Sequence, residues 1–114
     1  MKMTRSALVV AGLFVAGCAT VTDAGYYWGN YSQTLYQYTK FPSDETLARH
    51  VTELEEIISK SNEKGLKVPP GIHAELGYIQ ARQGNNTAAM AHYESEMKLY
   101  PESQVFLERL TSAN

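Results

Sequence analysis

The stretch from Asp44 to Asn62 carries apolar residues at intervals of three and four, and this spacing decides the fold class. The members of the apolar stripe are Leu47, Val51, Leu54, Ile57 and Ile58. On an α-helix these side chains share one face, which has to be buried against another element. No segment of the sequence shows the sustained apolar and polar alternation that a half-buried strand requires. The sequence therefore predicts an all-α fold.

Glycine and proline divide the rest of the chain into further helical segments. The expected helices cover 31–38, 44–62, 72–83, 86–100 and a last stretch from 103 onward. Ser43 is the candidate N-cap of the long helix, Gly65 its candidate stop, and Asn85 the candidate N-cap of the helix that follows it. We expect these four to five helices to form a short stack of antiparallel hairpins.

The N-terminus has the order of a secretory signal peptide, with Lys2 and Arg5 before an apolar run and small residues after it. The sequence "VAGC" resembles the lipobox of bacterial lipoproteins and puts Cys18 at the acylated position. This resemblance implies that residues 1–17 are cleaved off and that Cys18 carries the lipid. The alternative is an ordinary leader followed by a free or buried cysteine.

Removal of the leader would leave a lipidated cysteine with a short tether, 18–25, and a helical domain, 26–114. Lys plus Arg would fall from 10 to 8 against 12 acidic residues, so the mature chain is mildly acidic and we expect no nucleic-acid partner. Several acyl chains would hold the protein firmly on a membrane. Because Ala19 rather than Asp follows the cysteine, resemblance to lipoprotein sorting implies the outer membrane, facing the periplasm.

The stretch "LGYIQARQGNNTAAMAHYESEMKLYP" resembles the core of a tetratricopeptide (TPR) repeat, with a window from Pro70 to Ser103. The matching positions are Leu76, Gly77, Gly84, Ala89, Tyr93 and Pro101. The resemblance implies that Gly77 and Ala89 let two helices approach closely and that Tyr93 packs between them. The departures from the pattern are His73, Gln80 and Glu96, and we expect Glu96 to strain close packing against a following helix. The alternative is an unrelated helical hairpin with a glycine turn.

Seven of the eleven aromatic residues that follow the leader lie in "YYWGNYSQTLYQYTKF". The candidate partner-binding residues are Tyr27, Trp28, Tyr31, Tyr36 and Tyr38. Three interpretations stay open, namely packing against the long helix, a contact face for a partner, or a belt at the membrane surface. We expect mixed use, with Trp28 and Leu35 buried and with Tyr27 and Tyr36 exposed.

The sequence offers little to support catalysis. His50, His73 and His92 fall on different expected helices, and none has the spacing of a metal-binding motif. We expect Glu53 and Glu56 to share a solvated helix face, which does not favour acid catalysis. We therefore expect no catalytic residue, no metal site, no cofactor and no enzyme activity, with a small envelope hydrolase as the remote alternative.

The lipobox, the "YYWGNY" start with "LYQY" after it, and the repeat-like hairpin together resemble a family of small bacterial lipoproteins known as domain of unknown function 4810. The resemblance implies an accessory role beside other envelope lipoproteins, including one similar to the curli secretion channel. We expect a non-enzymatic adaptor that binds envelope lipoproteins or outer-membrane assembly proteins. A regulator of a cell-wall synthase is the alternative, and self-association is left open.

Overall fold

The computed structural model describes residues 25–112 and contains, within that range, five α-helices, one short 3-10 helix and no strand. The helices are α1 (Tyr31–Lys40), α2 (Asp44–Glu63), α3 (Ile72–Arg82), α4 (Asn86–Leu99), the 3-10 helix (Pro101–Ser103) and α5 (Gln104–Ser112). The all-α prediction is confirmed. The expected leader 1–17, Cys18 and the tether up to residue 24 lie outside the described residues. None of the five helices has both the length and the apolar composition that a membrane span needs.

The long helix α2 starts with a reciprocal cap that the sequence indicated only in part. Ser43 Oγ accepts from the Thr46 amide at 3.1 Å, and Thr46 Oγ1 accepts from the Ser43 amide at 3.0 Å. Two amides that lack a partner within the helix are thereby satisfied. At the other end Gly65 has φ +70°, the left-handed conformation expected of a glycine stop.

The turn between α3 and α4 differs from the expected cap. Gly84 takes φ +86°, which a glycine adopts without strain. The side chain of Asn85 makes no capping hydrogen bond to α4. Its side-chain nitrogen Nδ2 instead donates to Gln80 Oε1 at 2.9 Å. Asn85 is therefore the N-cap residue of α4, as expected, but its side chain ties the loop to the end of α3 instead of capping α4.

The buried apolar residues form two clusters on either side of α3. The first cluster consists of Leu54, Ile57, Val68, Ile72 and Leu76, and the second of Ala89, Tyr93 and Leu107. Burial of α2 against α3 builds the first, and α4 with α5 builds the second. Helix α3 therefore joins the two halves of the fold, and residues on its remaining face are left to line a surface.

Helices α3 and α4 approach each other closely at Gly77. A Cβ placed on Gly77 would lie 2.6 Å from Tyr93 Cε1 and 3.1 Å from the Ala89 carbonyl oxygen. Both distances are shorter than ordinary carbon contacts, so only glycine fits here. The buried ring of Tyr93 thus packs directly on the α3 backbone.

Glu96 does not strain the packing as expected. Its side chain is almost fully buried, with 2% exposure, and its two oxygens accept from the amides of Gly71, at 3.0 Å, and Ala74, at 3.2 Å. Gly71 is the N-cap of α3 and offers no side chain to satisfy these donors. A carboxylate from α4 therefore caps α3, which is favourable at the positive end of the helix dipole.

The end of α4 is fixed by Tyr100 and Pro101. Pro101 begins the 3-10 helix, and the buried Tyr100 hydroxyl donates to the Val68 carbonyl at 2.6 Å. Burial raises the pKa of Tyr100, which keeps its hydroxyl a donor. This bond ties the end of the α3–α4 hairpin to the loop that leads into it.

Candidate functional site

An open cleft of about 440 Å³ runs between the segment before α1, helix α3 and helix α5. Its lining residues are Trp28, Tyr31, Pro70, Gly71, Ala74, Glu75, Tyr78, Phe106 and Leu110. Most of the lining comes from α3 and the turn before it, and we call this surface the aromatic cleft. Its volume lies in the range of sites that bind small molecules or a few side chains.

Three large aromatic side chains of the aromatic cleft are open to solvent. The exposed fractions are 41% for Trp28, 44% for Tyr78 and 59% for Phe106. The Trp28 ring lies 5.5 Å from that of Tyr31, at an angle of 57°. Exposed aromatic residues that share one concave surface are typical of binding sites, since they supply large contact area at low entropic cost.

Among residues 25–112, Glu75 is the only charged residue that lines the aromatic cleft. Its Oε1 accepts from the Tyr31 hydroxyl at 2.8 Å, and its Oε2 lies 2.9 Å from His50 Nε2. His50 Nδ1 in turn lies 2.8 Å from Thr34 Oγ1. Burial, and then the hydrogen bond and charge of Glu75, raise the pKa of Tyr31 to about 12. This network links α1, α2 and α3 and holds the carboxylate in place.

The expected burial of Trp28 and exposure of Tyr27 are both wrong. Trp28 precedes α1 and contacts the rings of Tyr26 and Tyr31, so it does not reach the core. Tyr27 is half-buried and packs against the first core cluster. Residues 26–28 form an irregular segment before α1, so helical spacing does not set the directions of their side chains.

The remaining candidate partner-binding residues lie away from the aromatic cleft. Tyr36 is 59% exposed, as expected, and Tyr38 stacks on His50 with ring centroids 6.4 Å apart. Leu35 is half-buried, so its expected burial is wrong, and α1 contributes no fully buried residue. Of the five predicted residues the cleft includes only Trp28 and Tyr31.

Sequence reasoning missed Glu75, Tyr78 and Phe106. Glu75 and Tyr78 are three residues apart and so share a face of α3, which was the only local signal available. Phe106 comes from α5 and reaches the same surface only through the fold. A contact between segments so far apart in sequence has no signature in a single chain.

Glu53 does not lie on a solvated face with Glu56. It is 9% exposed, and its Oε2 accepts from the Asn30 amide at 2.9 Å, whereas Glu56 is exposed. Asn30 is the N-cap of α1 and makes no side-chain cap of its own. Glu53 therefore satisfies the start of α1 from α2.

His73 and His92, which the sequence placed on separate helices, meet across the α3–α4 hairpin. Their Nδ1 atoms are 3.0 Å apart and their rings are tilted by 34°. Burial, and then the neighbouring His92, lower the pKa of His73 from 6.5 to about 4, and burial also lowers that of His92. Within residues 25–112 no three metal-binding side chains come together.

Comparison with known proteins gives one match. No curated protein and no solved structure matches this chain. The model of the family described as "Domain of unknown function (DUF4810)" matches residues 26–110. The match starts just before α1 and runs into α5, so it includes every residue that lines the aromatic cleft. The chain belongs to the DUF4810 family.

Proposed function

We propose that this protein is a non-enzymatic adaptor of the bacterial envelope, and that the aromatic cleft is where it binds its partner protein. The observation that carries the proposal is the convergence of Trp28, Tyr78 and Phe106, all strongly exposed, on one surface. Convergence of exposed aromatic side chains on one concave surface favours an interface.

The proposed setting is the periplasmic side of the outer membrane. The lipobox-like sequence around Cys18 and the Ala19 that follows it support this location. The partner would be another envelope lipoprotein or an outer-membrane assembly protein. The short tether keeps the domain close to the membrane and favours such a partner over a cell-wall synthase that lies farther away.

We also propose that α3 and α4 form one degenerate TPR-like repeat. The close approach at Gly77, the buried Ala89 and Tyr93, and the glycine turn at Gly84 support this proposal. His73 departs from the repeat pattern and pairs with a residue of α4 instead of filling the groove as an apolar residue would. A TPR-like hairpin presents a groove to peptides, which fits the adaptor role.

Co-purification with matched double variants tests the proposed interface. We expect Tyr78→Ala with Phe106→Ala to weaken capture of an envelope partner by about tenfold or more, since exposed aromatic anchors dominate interface energies. Met90→Ala with Val105→Ala removes side chains that are 44% and 60% exposed but lie outside the aromatic cleft. Both pairs should keep the helical circular dichroism. Equal capture by the two double variants would remove the cleft from the proposal.

A further inference from the structure

The aromatic cleft combines aromatic faces with one carboxylate, and this combination suits a cation. Arginine and lysine side chains are attracted to the faces of tryptophan and tyrosine rings when they lie within roughly 6 Å. Trp28, Tyr31 and Tyr78 line the same cleft as Glu75, which supplies the opposite charge. The other lining residues are apolar or glycine, so no lysine or arginine within residues 25–112 lines the cleft beside this carboxylate.

Glu75 keeps hydrogen-bonding capacity for a ligand. A carboxylate offers about four lone-pair sites. Tyr31 and His50 use one on each oxygen, and the side chain is still 25% exposed. Each oxygen therefore retains a site for a further donor. A guanidinium group presents two parallel N–H donors that match two carboxylate oxygens, and its planar face also stacks on aromatic rings.

The structure contains one example of this chemistry beside the aromatic cleft. The Arg82 guanidinium lies 5.8 Å from the centre of the Tyr78 ring, and its Nη1 donates to the Tyr78 hydroxyl at 3.4 Å. Arg82 does not itself line the cleft.

We propose that the aromatic cleft binds an arginine side chain of the partner protein, with the guanidinium held between Trp28 and Tyr78 and donating to Glu75. This inference rests on the proposed function and names the chemistry that the partner must present. The phenyl ring of Phe106 and the side chain of Leu110 would pack on the apolar residues that flank the arginine. The site would therefore prefer an arginine within an apolar segment over an isolated charge.

Fluorescence of Trp28 gives a direct test, because it is the only tryptophan of the chain. The full-length protein in detergent is titrated with N-acetyl-arginine amide and with N-acetyl-citrulline amide, which has the same shape without the charge. We expect saturable binding of the arginine compound and at least about tenfold weaker binding of the citrulline compound, as a charge-assisted contact implies. Equal binding of the two compounds would overturn the inference.

Variants distinguish the contribution of the Glu75 carboxylate to arginine binding from that of the aromatic rings. Glu75→Gln should weaken arginine binding by about tenfold, whereas Glu108→Gln, on the exposed face of α5, should leave it unchanged. Because Glu75→Gln also touches the network with His50, Tyr78→Leu serves as a second variant that spares those hydrogen bonds and should still weaken binding. Wild-type affinity in both Glu75→Gln and Tyr78→Leu would overturn the inference.

Two further readouts identify the occupant and separate this inference from the proposed function. If wild-type protein dimerises in sedimentation and Glu75→Gln does not, a second copy fills the cleft and the arginine of a different protein is excluded. If a partner is lost with the Tyr78 and Phe106 double variant but retained by Glu75→Gln, the adaptor function stands and the arginine site does not. Loss of the same partner in both supports the two proposals together.

Discussion

Glu53 and Glu96 show how single residues of this protein serve helices other than their own. Each buries its carboxylate to accept from the amide at the start of a helix, Glu53 for α1 and Glu96 for α3. The carboxylate and the N-cap amide are 23 residues apart in the first case and 25 in the second. A sequence pattern reports only neighbours along the chain, so it assigned Glu53 to solvent and treated Glu96 as a misfit.

Replacement of Glu96 by alanine should destabilise the fold strongly. The amides of Gly71 and Ala74 would lose their acceptor in a partly buried site, which costs about 1–3 kcal/mol, with a further loss of favourable charge at the helix terminus. Urea unfolding would measure the change in the free energy of unfolding. Glu94→Ala, at an exposed site on the same helix, should change it by less than about 0.5 kcal/mol. Similar values for both variants would show that Glu96 does not cap α3.

The His73–His92 pair should make stability depend on pH. The pKa of His73 falls from 6.5 in the unfolded chain to about 4 in the folded protein, so the unfolded chain takes up the proton first. The stabilisation is complete above about pH 6.5 and is lost as the pH falls toward 4, with about 1–2 kcal/mol gone near pH 5.

Urea midpoints at about pH 7.5 and pH 5 would measure this effect, with His73→Phe as the variant that keeps a ring without the titrating group. The difference in unfolding free energy between the two pH values should be smaller in His73→Phe than in the wild type. An unchanged difference would mean that titration of His73 does not cause the acid sensitivity.

At the level of the helices, the sequence predicts where a helix begins and ends, but it does not predict the direction of side chains in the connecting segments. The apolar stripe of α2, its Ser43 cap and its Gly65 stop were all predictable, because each depends on residues a few positions apart. The differences at the Asn85 side chain and at Trp28 concern residues in non-helical segments, whose backbone direction is set by what they pack against. The sequence therefore predicts the positions of the helices better than the conformation of the segments that connect them.

Replacement of Gly77 by alanine tests the α3–α4 packing, because helix propensity and steric overlap change the free energy of unfolding in opposite directions. In an isolated helix alanine is favoured over glycine by about 1 kcal/mol. Here the new Cβ would meet the Tyr93 ring at 2.6 Å, so we expect a net loss of about 1–3 kcal/mol of unfolding free energy. Gly25→Ala meets no atom within 4 Å and serves as the control. A thermal melt in which Gly77→Ala is more stable than the wild type would contradict the close packing.

Removal of the N-cap of α2 should lower the free energy of unfolding by less than Gly77→Ala does. Ser43→Ala loses both the acceptor for the Thr46 amide and the geometry of the reciprocal bond, at a cost of about 1 kcal/mol. Ser59→Ala, at an exposed site within α2, should be neutral or slightly stabilising, since alanine favours helix. Chemical unfolding of both variants checks the difference, and equal stability would argue against the cap.

At the scale of the whole molecule, the aromatic cleft exists because α3 packs on two sides and leaves a third face open. Composition pointed to an aromatic surface near Trp28 and Tyr31, and the structure adds Glu75, Tyr78 and Phe106 from two other helices. The sequence alone does not predict that α5 lies next to the segment before α1. The candidate site was therefore half predictable, on the side where its residues are consecutive in sequence.

The proposed anchor predicts where the protein is found in the cell. Full-length protein should sediment with the outer membrane, and Cys18→Ala should appear in the soluble fraction or keep an uncleaved leader, because several acyl chains contribute about 0.8 kcal/mol for each buried methylene. Ala19→Ser is the matched control and should stay with the membrane. Membrane sedimentation of processed Cys18→Ala protein would show that something other than the lipid holds it there.

Photocrosslinking in intact cells tests the adaptor function most directly. A photocrosslinking amino acid is placed at Tyr78, inside the aromatic cleft, or at Met90, equally exposed at 44% but outside it. We predict that the probe at Tyr78 crosslinks to one defined envelope protein and that the probe at Met90 does not. No adduct from Tyr78, or the same adducts from both positions, would contradict the claim that this cleft is the partner-binding surface.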